Sequence, residues 1–215
     1  WRLDCPGNQA EAYFGVSMAS AGDVNADGFD DLVVGAYAYD AGSADEGAAF
    51  LYLGSAAGPA ALPDVTWDSP SGQANAAFGL AVGTAGDVDG DGYADVVVAA
   101  PLFDGAGADE GRAYVYLGSA AGPGTTPDEV VGAASSIAQA NAQFGLAVGS
   151  AGDMNGDGYA DLAVGAPLRD VPPVAGGAVD LFLGSSTGLD PTAPIQLDDP
   201  VAQANPFFGQ SVAAA

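Results

Sequence analysis

The sequence predicts an all-β fold made of repeated four-stranded units, and three observations lead to that prediction. The chain has 215 residues, of which 33 are glycine and 14 are proline, a composition that suits many turns and disfavours long helices. Short apolar runs bounded by turn residues recur along it, and no stretch keeps a helical period. Finally, the chain repeats itself: Phe-Gly pairs begin at Phe14, Phe78, Phe144 and Phe208, spaced by 64, 66 and 64 residues.

Three further markers keep the phase of the Phe-Gly pairs. An Ala-Gly-Asp triplet begins seven residues after each of the first three phenylalanines, an aromatic-Leu-Gly-Ser unit comes later in each repeat, and Gln-Ala-Asn precedes the later pairs. The markers begin at Ala21, Ala85 and Ala151, at Tyr52, Tyr116 and Phe182, and at Gln73, Gln139 and Gln203. The chain therefore contains three full repeats with partial repeats at its ends.

Each repeat reads as four short strands separated by turns. In the first repeat the strands are predicted at 14–20, 32–36, 48–53 and 65–67, and four strands per repeat are typical of β-propeller blades. The predicted boundaries are 1–13 for the outer strand of a preceding blade, 14–77, 78–143 and 144–207 for three blades, and 208–215 for the first strand of a following blade. A closed propeller needs about four to eight blades, so we expect further copies or chain segments to cover both ends.

The ionisable residues exclude several functions. Acidic residues number 28 against three basic ones, which gives a formal net charge of −25, and there is no lysine or histidine. This charge repels phosphates and anionic lipid, so we expect neither nucleic acid binding nor direct membrane insertion. The usual nucleophile pairs and imidazole bases are also missing, so we expect no catalysis within this chain. The single cysteine, Cys5, has no partner for an internal disulfide.

Three acidic nonapeptides are the strongest functional signal. Each has oxygen-bearing side chains at positions 1, 3, 5 and 9 and a glycine at position 6, and we expect the carbonyl of position 7 to supply a further oxygen. Hard cations such as Ca²⁺ need six to eight oxygen ligands, which alternate residues of a tight loop can provide. The predicted ligands are Asp23, Asn25, Asp27, Phe29 and Asp31, then Asp87, Asp89, Asp91, Tyr93 and Asp95, and then Asp153, Asn155, Asp157, Tyr159 and Asp161.

These loops are not EF-hands. At position 12, where an EF-hand has a bidentate glutamate, the chain has Val34, Val98 or Val164 inside the next apolar strand. The aspartate at position 9 must therefore take over that part of the coordination. Asp, Asn and Gly also populate ordinary solvated turns, but three loops in phase with the same oxygen positions argue against that explanation. We expect about three calcium ions, one in each loop.

The combination of Phe-Gly, the acidic loop, a Gly-Ala-Pro-like triplet and the aromatic-Leu-Gly-Ser turn resembles the FG-GAP repeat. The triplet is Gly165-Ala166-Pro167 in the third repeat, and it varies to Ala99-Ala100-Pro101 and Gly35-Ala36-Tyr37. FG-GAP repeats build the β-propeller of integrin α subunits and of many bacterial surface proteins. The resemblance implies a propeller whose loops bind Ca²⁺ between the first and second strands of a blade, and it points to a bacterial surface or secreted member.

These observations predict a calcium-binding extracellular or cell-surface β-propeller module that mediates adhesion, partner recognition or surface assembly. The expected partner is a protein or glycan ligand, or further copies or segments that complete the propeller. The alternative is the non-catalytic propeller portion of a secreted enzyme that acts on polysaccharides or lipids. No catalytic or cofactor-binding residue is predicted in either case.

Two smaller features leave alternatives open. The acidic pair at Asp45-Glu46 recurs at Asp109-Glu110, where it forms either a solvated loop or a second cation site or catalytic acid. The aromatic residues that open the aromatic-Leu-Gly-Ser units are expected to form core between blades rather than a stacking platform for sugars.

Overall fold

A computed structural model describes residues 2–132, 139–171, 174–198 and 207–213 of this chain. Its strands form three four-stranded antiparallel sheets, each following the chain in simple order from the first strand to the fourth. The all-β fold built from propeller blades of four antiparallel strands is thereby confirmed. Among the described residues, no helical segment has the length and apolar character needed to cross a bilayer.

The three blades have closely matched strand boundaries. In blade 1 the strands are β1 (Ser17–Gly22), β2 (Asp31–Ala36), β3 (Ala48–Tyr52) and β4 (Val65–Asp68). Blade 2 contains β5 (Ala81–Gly86), β6 (Asp95–Ala100), β7 (Arg112–Tyr116) and β8 (Glu129–Val131). Blade 3 contains β9 (Ala147–Gly152), β10 (Asp161–Ala166), a short hairpin of β11 (Asp170–Val171) and β12 (Val174–Ala175), and then β13 (Ala178–Phe182) and β14 (Ile195–Asp198).

The first strand of each blade begins later than the sequence predicts, because the Phe-Gly pair lies in a turn. Around the first pair, Tyr13 has φ +54° and Gly15 has φ +84°, and the Val16 N–H donates to the Tyr13 carbonyl at 3.1 Å. This left-handed backbone cannot enter a strand ladder. The prediction of a strand from residue 14 is therefore wrong by three residues, and β1 begins at Ser17.

The second strands are buried on both faces, as their continuous apolar runs predict. All six residues of β6 are buried, and most of β2 and β10 are buried as well. Each of these strands lies between the first and third strands of its own sheet and packs against a neighbouring blade. Tyr116 and Phe182 are fully buried in clusters that span two blades, so the prediction of an inter-blade core is confirmed for them.

Backbone contacts hold neighbouring blades together in the same way at each junction. The glycine just before the third strand of each blade forms a parallel bridge with the phenylalanine of the next Phe-Gly pair, at Gly47–Phe78, Gly111–Phe144 and Gly177–Phe208. A Cβ on Gly35 would lie 1.9 Å from the Gly79 carbonyl oxygen of blade 2. The first glycine of the Gly-Ala-Pro-like triplet therefore allows close backbone approach between blades.

Side chains at the outer strands make each junction distinct. Between blades 1 and 2, the Trp67 indole stacks on Tyr116 with centroids 4.5 Å apart and donates to the Gly124 carbonyl at 2.7 Å. Between blades 2 and 3, the Leu189 N–H donates to the Glu129 carboxylate at 3.0 and 3.1 Å. Burial raises the pKa of Glu129 to about 7.

The two ends of the chain contain little regular structure. Residues 2–13 include one short 3-10 turn, Pro6–Asn8, and no strand within the described part. The predicted outer strand of a preceding blade begins at Trp1, which lies outside the described residues, but Leu3 packs on the cluster that contains Tyr52 and Phe50. At the other end, Phe208 forms the bridge that an incoming first strand makes at the other junctions. The boundaries 1–13 and 208–215 stay predictions.

Replacing Gly35 with alanine tests the close approach between blades 1 and 2. The added methyl group would meet the Gly79 carbonyl, so we expect a loss of about 2–3 kcal/mol in the free energy of unfolding. Gly149→Ala is the matched control, because a Cβ there meets no heavy atom within 4 Å. Urea denaturation of the whole chain would measure both, and equal stabilities for the two variants would contradict the assignment.

Glu129→Gln tests the carboxylate between blades 2 and 3. A folded-state pKa of about 7, raised from 4.5, stabilises the fold below about pH 4.5, and this stabilisation is lost as the pH rises through 7. After a discount for partial exposure, the pH-dependent part is roughly 1–2 kcal/mol. We expect Glu129→Gln to remove it in denaturation at several pH values. The exposed Glu11→Gln control should keep the wild-type profile, and a wild-type profile for Glu129→Gln would refute this role.

Candidate metal centre

The three acidic loops occupy the same place in their blades, between the first and second strands. Each loop is entered through an irregularity in the pairing of these strands, between Ser20 and Gly22 in blade 1 and between Thr84 and Gly86 in blade 2. A bulge of this kind bends the chain out of the ladder. The three loops therefore begin at equivalent ends of the first strands of the three sheets.

Position 1 organises each loop by accepting backbone hydrogen bonds. In the first loop, Asp23 accepts from the Asp27 N–H at 3.0 Å and from the Gly28 N–H at 2.8 Å. The aspartates Asp87 and Asp153 accept the corresponding bonds in the other loops. These bonds lower the pKa of Asp153. Position 1 therefore holds the loop closed around its own carboxylate.

Two positions of the loop have left-handed backbone, of which the sequence analysis singled out one. Gly92, at position 6, has φ +93°, and the same conformation recurs at Gly28 and Gly158. Position 4 is also left-handed, with φ +74° at Gly90 and φ +55° at Ala26. A non-glycine residue is strained there, so the first loop forms at a greater conformational cost than the other two.

Position 9 is buried and joins the loop to the rest of its blade. Asp95 is fully buried, its Oδ2 accepts from the Val88 N–H at 2.7 Å, and its Oδ1 accepts from the Gly118 N–H at 2.8 Å. Gly118 belongs to the turn between the third and fourth strands. The equivalent residues Asp31 and Asp161 make the same two bonds in their own blades. This aspartate is therefore a structural residue as well as a predicted ligand.

The second loop brings three of its carboxylates together. One oxygen each from Asp87, Asp89 and Asp95 lies within 4.8 Å of the others, close enough to share one cation. It is the one such cluster of three acidic residues in the described part of the chain. In the first and third loops an amide oxygen, from Asn25 or Asn155, takes the place of the Asp89 carboxylate.

The electrostatics of the second loop favour a bound cation. The pKa of Asp95 is raised to about 7, chiefly by burial and to a lesser extent by the nearby Asp89 and Asp87 carboxylates. Burial also raises the pKa of Asp89, with repulsion from Asp91 and Asp87 adding to the effect. No basic residue lies within this loop to neutralise these charges. A divalent cation would relieve the repulsion.

The donor set of each loop fits a hard cation. It consists of side-chain oxygens at positions 1, 3, 5 and 9 and the position-7 carbonyl, with no nitrogen or sulfur ligand in any loop. Not every predicted ligand joins the cluster of three carboxylates. Asp91 lies outside it, and its Oδ1 accepts from the Tyr93 N–H at 3.0 Å. Asp27 and Asp157 accept the same bond in their loops.

The first and second loops also contact the next blade through their backbones. The Ala94 N–H, at position 8 of the second loop, donates to the Asp23 carbonyl of the first loop at 3.0 Å, and the Ser119 N–H donates to the Val24 carbonyl at 3.1 Å. The junction between blades 2 and 3 repeats both bonds, from Ala160 to Asp87 and from Ser185 to Val88. The loops are therefore parts of the blade junctions.

The second acidic motif is not a solvated loop, which corrects one of the two interpretations left open for it. Glu46 and Glu110 are buried, with 3% and 7% of their surface exposed. The Glu110 carboxylate accepts from the Ala106 N–H at 3.1 Å and from the Gly107 N–H at 2.6 Å. These glutamates hold the turn between the second and third strands, while Asp45 is exposed and Asp109 is half-buried.

The glutamine of Gln-Ala-Asn has a role that the sequence analysis missed. The Gln73 carboxamide accepts from the Asp104 N–H at 2.7 Å and donates to the Asp104 carbonyl at 3.3 Å, as a neighbouring strand would. Gln9 bonds to Asp40 in the same way, and the Asp170 N–H donates to Gln139. The constant position of glutamine before each Phe-Gly pair was the available signal, since Gln9 also keeps this spacing.

This fold and these loops define an FG-GAP protein. The FG-GAP repeat model matches residues 14–52, 78–116 and 144–182, which together make up more than half of the chain. The chain belongs to the FG-GAP repeat family. Each matched segment runs from the Phe-Gly pair to the end of the third strand and contains one acidic loop.

The similar curated proteins are integrin α subunits. Integrin alpha-PS2 of Drosophila melanogaster is 38% identical over 177 residues, which cover 76% of this chain and 12% of that protein. Integrin alpha-IIb of Homo sapiens is 38% identical over 165 residues, which cover 74% of the chain and 15% of that protein. Integrin alpha-5 of Xenopus laevis is 31% identical over 191 residues, which cover 86% of the chain and 18% of that protein. The chain therefore spans less than a fifth of these relatives.

Asp95→Ala separates the structural role of position 9 from cation binding. Its removal leaves the Val88 and Gly118 N–H groups buried without an acceptor, so we expect a loss of about 2–4 kcal/mol in unfolding free energy even with a chelator present. Asp91→Ala in the same loop removes an exposed acceptor, and we expect it to cost less than about 1 kcal/mol. Chemical denaturation would compare them, and equal losses would show that Asp95 has no structural role.

Proposed function

We propose that the three acidic loops bind calcium and that this chain is a calcium-stabilised propeller module for recognition outside the cell. The observation that supports calcium binding best is the cluster of Asp87, Asp89 and Asp95, whose oxygens lie within 4.8 Å of one another in a loop whose oxygen positions recur in each blade. Flexible loops with many oxygen ligands suit Ca²⁺ better than Mg²⁺, which demands near-octahedral geometry.

The proposed ligands in each loop are the side chains of positions 1, 3, 5 and 9 and the carbonyl of position 7. Bound calcium would neutralise the clustered carboxylates and hold position 9 ionised. Because the first and second loops bond to the next blade through the carbonyls of positions 1 and 2, calcium would also stabilise the two junctions between blades. By mass action, a hundredfold excess of calcium over the dissociation constant adds about 2.7 kcal/mol for each site.

The proposed setting is the cell surface or the extracellular space, and the proposed role is adhesion, partner recognition or surface assembly. It is supported by membership of the FG-GAP family and by similarity to integrin α subunits. The partner is a protein or glycan ligand that contacts the loops between strands. Loops on a rigid scaffold commonly hold such binding residues.

Exposed apolar side chains support completion of the propeller by further segments or copies. Met18 of blade 1 is 64% exposed, whereas its blade 2 equivalent, Val82, is 8% exposed. Met154 in the third loop is also 64% exposed, whereas Val88 in the second loop is fully buried beneath blade 3. The middle blade, which has a neighbour on each side, thus buries apolar side chains whose equivalents in the two outer blades are exposed. We accordingly propose the blade boundaries 14–77, 78–143 and 144–207, with 1–13 and 208–215 belonging to flanking blades.

Glu129 is the carboxylate that tests the catalytic alternative, because it lies outside the acidic loops and its pKa is raised to about 7. Its oxygens accept from the Leu189 N–H, and a Cβ on Gly188 would lie 1.8 Å from Oε1. Both carboxylate oxygens are thus engaged by the backbone of blade 3. Glu129 is therefore a junction residue, and we propose that this chain has no catalytic activity.

Calcium titration after chelation tests the metal sites. We expect calorimetry to find about three sites and the melting temperature to rise, with much weaker effects from magnesium. Asp23→Ala, Asp87→Ala and Asp153→Ala should each remove one site, whereas Asp109→Ala, outside the loops, should leave all three. Absence of binding heat and of stabilisation would overturn the proposal.

Exchange at position 3 gives a matched test of the individual loops. Asp89→Asn gives the second loop the amide of the other two, and Asn25→Asp gives the first loop a further carboxylate. We expect calcium affinity to fall about tenfold at the second loop and to rise by a similar factor at the first, since affinity follows ligand charge. Unchanged affinities in both variants would show that these positions do not contact the ion.

A further inference from the structure

A pocket lies at the junction of blades 1 and 2, on the loops between the second and third strands and on the connection between the blades. Its volume is about 250 Å³, which suits a small ligand. Tyr13 and Tyr37 line it on one side, and Leu102, Ala77, Asp45 and Asn75 complete the lining.

Backbone hydrogen bonds hold the pocket in shape. The Asn75 N–H donates to the Ala44 carbonyl at 3.0 Å, and the Leu102 N–H donates to the Ala76 carbonyl at 3.2 Å. The Asp45 N–H donates to Asp40 Oδ1 at 2.7 Å. The loops that line the pocket are therefore tied to each other across the blade junction. A site that is ordered before binding loses less free energy when a ligand binds.

A pair of stacked tyrosines is present at the junction of blades 1 and 2 and absent from the junction of blades 2 and 3. The Tyr13 and Tyr37 rings stack with centroids 5.0 Å apart and planes at 15°, and Tyr13 is 56% exposed. At the junction of blades 2 and 3, the equivalent positions hold Ala77 and Pro101, while the polar positions are kept as Asp109 and Asn141. The blade fold therefore does not require the tyrosines, and Tyr13 occupies a left-handed backbone (φ +54°) that is unfavourable for a large residue.

The charge around the pocket selects a cation. Its lining contains the Asp45 carboxylate and no basic residue, in a chain with a net charge of −25. Of the three arginines, Arg2 is paired with Asp4, Arg169 is bonded to Asp180 and Arg112 lies over the Phe103 ring, and none of them lines the pocket. An anionic ligand would be repelled, and the exposed tyrosine faces and the carboxylate both attract positive charge.

We propose that this pocket binds a quaternary ammonium group, the chemistry shared by choline compounds and trimethylated lysine. Methyl groups on the cation match the apolar surface of Leu102, Ala77 and the tyrosine rings, which offers few partners to the N–H donors of a primary ammonium or guanidinium. A neutral sugar would lack the charge attraction to Asp45 that an ammonium ligand gains. The inference rests on the proposed recognition role of the loops but not on calcium binding.

Titration of the whole chain with tetramethylammonium and with choline, in saturating calcium, tests the site. Tyrosine fluorescence and NMR shifts would report binding, and we expect dissociation constants on the order of 1 mM for so small a ligand. The control ligand is 3,3-dimethylbutan-1-ol, the neutral carbon analogue of choline, which should bind at least tenfold more weakly. Glycerophosphocholine, which has no net charge, and a trimethyllysine peptide then distinguish the two sources, and binding of either one supports the proposal.

Variants locate the site. Tyr13→Ala, Tyr37→Pro and Asp45→Asn should each weaken choline binding at least fivefold. The first two substitutions introduce the residue types that occupy the equivalent positions at the junction of blades 2 and 3. Asp109→Asn, the equivalent of Asp45 at the other junction, should leave binding unchanged. Calcium-dependent melting checks that each variant folds.

Three results would overturn the proposal. The first is equal binding of choline and its neutral analogue, which would indicate an apolar pocket without charge selection. The second is binding of a neutral sugar or an arginine peptide in place of the ammonium ligands, and the third is absence of ammonium binding by a chain that calcium still stabilises. Loss of the calcium response instead would refute the metal sites and leave the pocket to be judged by the ammonium titration alone.

Discussion

The fold depends on one buried aspartate at the end of each acidic loop. Asp31, Asp95 and Asp161 each accept one N–H from their own loop and one from the turn between the third and fourth strands. Burial of a carboxylate costs free energy unless its oxygens accept hydrogen bonds. The two bonds of this aspartate link the loop between strands 1 and 2 to the turn between strands 3 and 4 of the same blade. The residue that closes the blade is thus also the one that a cation in the loop would contact.

The junctions between blades combine a constant backbone pattern with variable side chains. Loop carbonyls accept from the next blade in the same way at both complete junctions, and the glycine before each third strand bridges to the next Phe-Gly pair. The outer strands use an indole at one junction and a carboxylate at the other. Backbone contacts therefore set how the blades stack, while side chains such as Trp67 and Glu129 make each junction specific to its neighbour.

Blade 3 shows how far the interior can vary within this frame. Blade 1 pairs Tyr39 with Phe50 at a centroid distance of 5.4 Å, whereas the equivalent residues of blade 3 are Arg169 and Asp180. These two form a buried ion pair, with Arg169 Nη1 2.8 Å from Asp180 Oδ1. Replacing one partner alone would leave the other charge buried, so the pair has to change together. This ion pair lies in blade 3, which has Gly176 where blades 1 and 2 have the buried Glu46 and Glu110.

The repeat by itself determined the blade architecture, the order of the strands and the oxygen positions of the loops. These features follow from local spacing: a Phe-Gly pair, an acidic loop and an apolar run recur in phase, and each has a local physical reason. The start of β1 at Ser17 was not predictable, because residue types alone do not show the left-handed backbone at Tyr13 and Gly15. The burial of Glu46 and Glu110 was hidden because it depends on how each 2–3 loop folds back over its own carboxylate.

Only the tertiary structure decided which residues of different repeats meet. It joined Gln73 to Asp104, brought the Ala94 N–H to the Asp23 carbonyl and placed Tyr13 on Tyr37. These contacts link positions far apart in the chain, and each partner has an ordinary residue type for its own local structure. Spacing within a repeat defines a loop or a strand, but the approach of one blade to the next is set by three-dimensional packing, and the pocket at the first junction exists only because of that packing.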